Sequence, residues 1–181
     1  MVKCIQRLIS LKAYNLYKLD LQKNPNIEPQ ARNFLWYFRL GSTSKGILKL
    51  FCKYKLRNIR LKYGLEIGMS TSIGKGLYLG HAFNITINPH AVIGDNVSIH
   101  KGVLIGASNR GSSKGVPTIG NKVWIGCNAA IVGKINIGDD VLIAPNTYVN
   151  CNCPPHCVVF GNPAIIKHRE NATEGYINSI V

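Results

Sequence analysis

No run of eighteen or more apolar residues occurs in this 181-residue chain, so no segment is long enough to cross a bilayer as a helix. Acidic residues are scarce as well: 8 Asp and Glu stand against 22 Lys and Arg. The imbalance is local. Residues 1–63 hold 14 of the basic residues and only Asp20 and Glu28 as acids, so the surface for an anionic partner belongs to that segment. The opening Met1-Val2-Lys3-Cys4-Ile5-Gln6-Arg7 has neither a long apolar core nor a small-residue cleavage site. That argues against a signal peptide and for a cytoplasmic protein. The six cysteines then read as reduced thiols. Cys151, Cys153 and Cys157 beside His156 lack the second, distant ligand pair of a zinc site, so no metal is expected.

What the chain does have is an internal repeat from Ile67 to Asn150. Aliphatic residues fall every sixth position at Ile67, Ile73, Leu79 and Ile85. After a two-residue slip they resume at Ile87, Ile93, Ile99 and Ile105. After an interruption at 107–118 they return at Ile119, Ile125, Ile131, Ile137, Ile143 and Val149. Small or branched residues follow four places on, among them Ala91, Val97, Val103, Val123, Ala129 and Val141. A period of six suits a three-sided prism of short strands and tight corners, with the aliphatic residues stacked inside. One coil cannot bury its own core, so stability must come from stacking. The expected fold is mainly β: a parallel β-helix over residues 64–155 with an extruded loop at 107–118. A basic helical segment at 1–63 precedes it, and a polar, frayed tail at 156–181 follows.

Within residues 1–63, helical spacing runs from Ile5, Leu8 and Ile9 to about Leu21, and Asn24-Pro25-Asn26 breaks it. A second helix is expected from Pro29 to Leu40, a turn at Gly41-Ser42-Thr43-Ser44, and a third helix from about Lys45 to Tyr63. The third is apolar on one side and cationic on the other. It is first a cap for the open end of the β-helix. Peripheral membrane contact through residues 40–63 and attraction of an anionic substrate are the sharper alternatives. Nucleic acid ranks behind them, because no recognisable module is present.

The Gly/Ser-rich loop carries no apolar payload, so its natural role is to fold over a site. Three histidines lie near one another in the coil count: His81, His90 and His100. They lack the close pair on one coil that marks the zinc site of β-helical carbonic anhydrases. His81 is the better catalytic candidate, since folding needs no imidazole there. Glu66 precedes it by fifteen residues, most of one turn of the prism, a spacing that permits the carboxylate to reach the ring.

Specific stretches carry a resemblance. Gly64-Leu65-Glu66-Ile67, Ile73-Gly74-Lys75-Gly76-Leu77-Tyr78-Leu79-Gly80-His81, Ile87-Asn88-Pro89 and Ala91-Val92-Ile93-Gly94 are four of them. Gly102-Val103-Leu104-Ile105-Gly106, Pro117-Thr118-Ile119-Gly120 and Gly161-Asn162-Pro163-Ala164 are three more. Together, over about residues 64–169, they resemble the serine acetyltransferase branch of the hexapeptide-repeat acyltransferases. The short helical segment is similar to that of relatives associated with surface polysaccharides. The resemblance implies a left-handed β-helix, a homotrimer and acetyl-CoA bound between neighbours. It implies His81 as general base and Glu66 as the acid that orients it. It implies oxyanion stabilisation by backbone N–H groups near Gly106 and Ala107, cofactor contact at Gly126, and phosphate contacts from Lys134, Lys167 and Arg169.

The departures bear on the acceptor. The serine enzymes carry an Asp directly before the catalytic histidine, where this chain has Gly80, and Arg-His before the loop proline, where it has Gly115-Val116. A zwitterion would leave charges unpaired there. The expected acceptor is therefore the hydroxyl of a polysaccharide or lipid-linked sugar, contacted by Arg110, Lys114 and His100. Free L-serine is the alternative, and a non-catalytic trimeric scaffold is a third reading that the pair Glu66 and His81 argues against.

Overall fold

The computed structural model describes residues 11–177 and 179–181. The expectations resting on Met1–Arg7, Leu8 and Ile9 lie outside the described residues. Among the described residues three helices come first: α1 (Leu11–Lys23), α2 (Pro29–Thr43) and α3 (Gly46–Tyr63). No helix among the described residues is long and apolar enough to cross a membrane. The turn expected at Gly41-Ser42-Thr43 is instead the last turn of α2. Gly64 ends α3 in the left-handed conformation (φ 67°), where a side chain is unfavourable, and its N–H donates to the Arg60 carbonyl.

The rest is a parallel β-helix with three sheets. The first holds β1 (Leu65–Ile67), β4 (Ile85–Ile87), β7 (Leu104–Gly106), β10 (Ala130–Val132) and β13 (Tyr148–Val149). The second holds β2 (Ser72–Ile73), β5 (Val92–Ile93), β8 (Thr118–Ile119) and β11 (Asn136–Ile137). The third holds β3 (Tyr78–Gly80), β6 (Ser98–His100), β9 (Trp124–Ile125), β12 (Val141–Ile143), β14 (Cys157–Phe160) and β15 (Ile165–His168). Among these strands only β15 pairs antiparallel, with β14.

The registers turn the sequence repeat into stacked core. Ile67, Ile87, Ile105, Ile131 and Val149 form one inward column, and Leu79, Ile99, Ile125, Ile143 and Val159 another. All are buried. Fully burying one such side chain contributes about 1.5–3 kcal/mol, so the columns and corners carry the fold. The coil length is uneven. Leu79 pairs with Ile99, a step of 20, whereas Ile125 pairs with Ile143, a step of 18. The two extra residues sit at the corner from His81 to Asn84, where both of those residues adopt positive φ (49° and 52°). The slip in the sequence repeat is therefore a bulge at the candidate histidine.

The plug at the open end comes mainly from α2. Its Ala31, Phe34, Leu35 and Phe38 join the β-helix core, while α3 adds Leu56 and Ile59. The cap expected of α3 is thus shared, and α3 leaves Ile47, Leu50, Phe51, Tyr54 and Leu61 exposed, because its buried residues lie on the opposite side of the helix. A buried ion pair locks plug to prism. Arg39 Nε and Nη2 donate to Asp20 Oδ2 and Oδ1 at 2.7 and 3.0 Å, and Arg39 also donates to the carbonyls of Ile73 and Gly74. Asp20 in turn accepts from the Leu77 N–H at 2.9 Å.

The prism runs past residue 155, since β14 pairs with β12 in parallel. The tail is not frayed. Asp140 accepts from the backbone of Ala172 and Thr173 and from the Thr173 hydroxyl at 2.6 Å. The Val181 N–H donates to Asn96 Oδ1 at 2.9 Å, and Tyr176 packs its ring 4.8 Å from that of Trp124. Polar side chains tie the tail down, which hydropathy alone does not register.

Candidate active site

His81 stands at the corner between β3 and β4 with its side chain 70% exposed. The carboxylate beside it is Glu28. Glu28 Oε2 accepts from the Ala82 N–H at 3.0 Å and from Gln30 at 2.8 Å, which leaves Oε1 3.7 Å from His81 Nδ1. That separation is too long for a hydrogen bond, so Glu28 acts on the ring as a facing charge. The sequence reading missed this residue. The signal was present: Glu28 precedes Pro29 at the start of α2 and is one of two acids in the first 63 residues.

Glu66 is not the partner of His81 within the chain. It lies outward on β1 and pairs with Arg60, Nη1 to Oε1 at 3.2 Å. The fifteen-residue spacing failed because the bulge at 81–84 carries the histidine round the corner, while Glu66 faces out from the sheet beside Thr86. Glu66 instead stands between two cavities. The first, of about 590 Å³, lies between α3 and the first coil and is lined by Lys53, Arg57, Arg60 and Glu66 with Leu50 and Tyr54. The second, of about 430 Å³, is lined by Glu66, Thr86, Asn88, Leu104, Gly106 and Ala107. They share Glu66, Ile87 and Pro89.

Gly106 and Ala107 both line the second cavity. The other expected cofactor contacts do not. Gly126 packs under Pro145, where a Cβ would meet the proline nitrogen at 2.6 Å. Lys134 lies beneath the loop, its N–H donating to the Ser113 carbonyl at 2.8 Å. Lys167 lies over the Phe160 ring and Arg169 is exposed near His156, and neither lines either of these two cavities. Arg110 and Lys114 are exposed on a loop closed by paired N–H to carbonyl bonds between Ser108 and Gly115. The loop folds back on residues 133–134 and not over either cavity.

His100 is drawn into a ring stack. It lies 5.8 Å from Tyr78 and 4.8 Å from Trp124 between centroids. Its Nε2 is buried without a hydrogen-bond partner among the described residues. Burial lowers its pKa, and the charge of His81 lowers it further. His90 is exposed, on a turn where its N–H donates to Asn88. No group of three or more His, Cys, Asp or Glu side chains among the described residues is placed to hold a metal ion. Burial pushes the Cys153 thiol up to about 12, so this cysteine is a packing residue and not a nucleophile.

Comparison with known proteins agrees with this architecture. Residues 117–151 match the bacterial transferase hexapeptide family, described as six repeats. The chain is similar to a serine acetyltransferase of Helicobacter pylori, 37% identical over 101 residues that make 56% of this chain and 59% of that one. It is also similar to a serine acetyltransferase of Mycobacterium tuberculosis, 34% identical over 140 residues, 77% of this chain and 58% of that one. Among solved structures it superposes on a Neisseria gonorrhoeae serine acetyltransferase in complex with serine, with a TM-score of 0.73 and 27% identity, over 86% of this chain and 69% of the other. The chain spans about half the length of the curated relatives it matches. The β-helix that carries His81, Gly106 and Ala107 is similar to that of these serine acetyltransferases, and its later coils match the hexapeptide transferase family.

Proposed function

We propose that the protein is an acetyl-CoA-dependent O-acetyltransferase whose acceptor is the hydroxyl of L-serine. The observation that carries this reading is His81, exposed at a repeat corner with a carboxylate facing Nδ1. The relatives named above are serine acetyltransferases, which moves the acceptor from the expected sugar to serine. An uncharged sugar hydroxyl is the second reading, supported by the missing charges at Gly80, Gly115 and Val116.

Glu28 facing Nδ1 favours the tautomer with its proton there and leaves Nε2 as the base. Nε2 takes the acceptor proton as the hydroxyl oxygen attacks the thioester carbonyl. The N–H groups at Gly106 and Ala107 stabilise the oxyanion. Collapse breaks the C–S bond, and the imidazolium returns its proton to the CoA sulfur. The product is the O-acetyl ester, with CoA as the leaving thiol.

His81 lines neither cavity of its own chain, whereas Glu66, Gly106 and Ala107 do. That supports a homotrimer in which the His81 corner of one subunit meets the cavities of the next. Glu66 would then serve the neighbour's histidine. The exposed Ile47 and Leu61 among the cations of α3 support membrane contact by residues 40–63. Thiol release from acetyl-CoA, followed with L-serine and with a panel of neutral sugars, tests the acceptor. Turnover with sugars and none with serine overturns it.

A further inference from the structure

The sequence lacks the loop cations that would hold a carboxylate at the acceptor site, yet the fold supplies cations from another element. Lys53, Arg57 and Arg60 project from successive turns of α3 into the cavity of about 590 Å³ above β1. Among the described residues Glu66 is the sole acid on its lining, and it is engaged by Arg60. Among the described residues, Lys53 and Arg57 have no carboxylate partner, so two positive charges face the cavity uncompensated. Both are exposed in the free chain, so holding charge there costs little without a ligand, and an anion gains charge-assisted hydrogen bonds when it enters. The cavity shares Glu66, Ile87 and Pro89 with the one that holds Gly106 and Ala107. A small acceptor held in the first would therefore abut a thioester held in the second.

We propose that this cavity is the acceptor's anion site, in which Arg57 and Lys53 bind a carboxylate on the molecule that receives the acetyl group. Arg57 is the principal contact, because its planar fork matches a carboxylate through two N–H groups. Lys53 adds a point charge. The Arg60–Glu66 pair forms the floor between the two cavities and keeps Glu66 turned from the incoming anion. This assignment rests on the acyltransferase reading and names the acceptor class: a hydroxy acid in place of a neutral sugar. It also explains how Gly115 and Val116 can stand where the serine enzymes carry charge. The cation has moved from the loop to the helix.

The test compares acidic with neutral acceptors on the intact protein. Wild type should turn over L-serine at least tenfold better than serinamide in kcat/KM. Arg57→Gln and the double variant K53Q/R57Q should raise the KM for serine by tenfold or more, leave the KM for acetyl-CoA unchanged, and abolish the preference over serinamide. Arg57→Glu should reverse that preference. Lys49→Gln, on the same helix but outside the cavity, should change nothing. An unaltered serine-to-serinamide ratio in R57Q overturns the proposal. So does a rise in the acetyl-CoA KM alone, which would assign the cations to the CoA phosphates. Should serine fail as acceptor, the serine reading falls by itself. The anion site is then judged by glycerate against glycerol and glucuronate against glucose: preference for the acidic member sustains it, and indifference sinks it.

Discussion

The imidazole of His100 occupies the space into which a side chain at position 80 would project. Gly80 and His100 are register partners on β3 and β6, and a Cβ built on Gly80 would fall 2.5 Å from His100 Nδ1. The charge expected at position 80 of a serine enzyme and the ring at 100 are therefore mutually exclusive in this packing.

Gly80→Asp alone should destabilise the protein by about 1–3 kcal/mol, as overpacking does. Adding His100→Ala should restore most of that loss. Thermal unfolding of the two single variants and the double variant measures the coupling. Additive effects would mean that the ring moves aside freely.

Activity should separate the three polar residues around the reaction. His81→Ala should lower turnover by about 10²-fold or more, the span of general base catalysis. Glu28→Gln keeps the hydrogen bond to Ala82 but removes the charge facing Nδ1, so it should lower kcat by a smaller factor at an unchanged thermal midpoint. Glu66→Gln removes the partner of Arg60 and should act through the neighbouring subunit. Mixing His81→Ala with Glu66→Gln chains should then give more activity than the two variants show apart, through mixed trimers. No recovery would place both residues in one subunit's site.

The Asp20–Arg39 pair should matter for folding and little for chemistry. Burial pushes the Asp20 carboxyl up, and the Arg39 hydrogen bonds oppose it. Removing one partner leaves a buried charge, so Arg39→Met should cost about 3–5 kcal/mol. Replacing both with apolar residues of similar volume should cost less. Denaturant unfolding reads the difference.

Acid should loosen the tail. Burial penalises the Asp140 charge, but hydrogen bonds from Thr173 and His156 outweigh it and hold the carboxyl well below its ordinary 3.8. The unfolded chain then binds the proton first, so this stability is present above pH 3.8 and is lost as pH falls through the folded value. His100, with a pKa below its ordinary 6.5, has the same sign: its contribution is whole above pH 6.5 and declines on acidification. Asp140→Asn should free residues 170–181 for proteolysis at neutral pH, and its stability deficit against wild type should shrink in strong acid.

The β-helix was legible because its cause is periodic. An inward aliphatic residue at every sixth position, with a small residue at the corner, can be satisfied by stacking whatever the rest of the chain does. The two-residue slip and the twelve-residue interruption were visible for the same reason, and both proved to be excursions from the prism. Only the tertiary structure decided the side-chain partners. Glu28 reaches the histidine across 53 residues of chain, and Lys53, Arg57 and Arg60 come to a cavity floored by β1, because α2 and α3 pack across the open end of the coil. The order of residues along a chain sets what each repeat buries. Which charges meet at its surface depends on where the helices dock, and that is settled by the core they share.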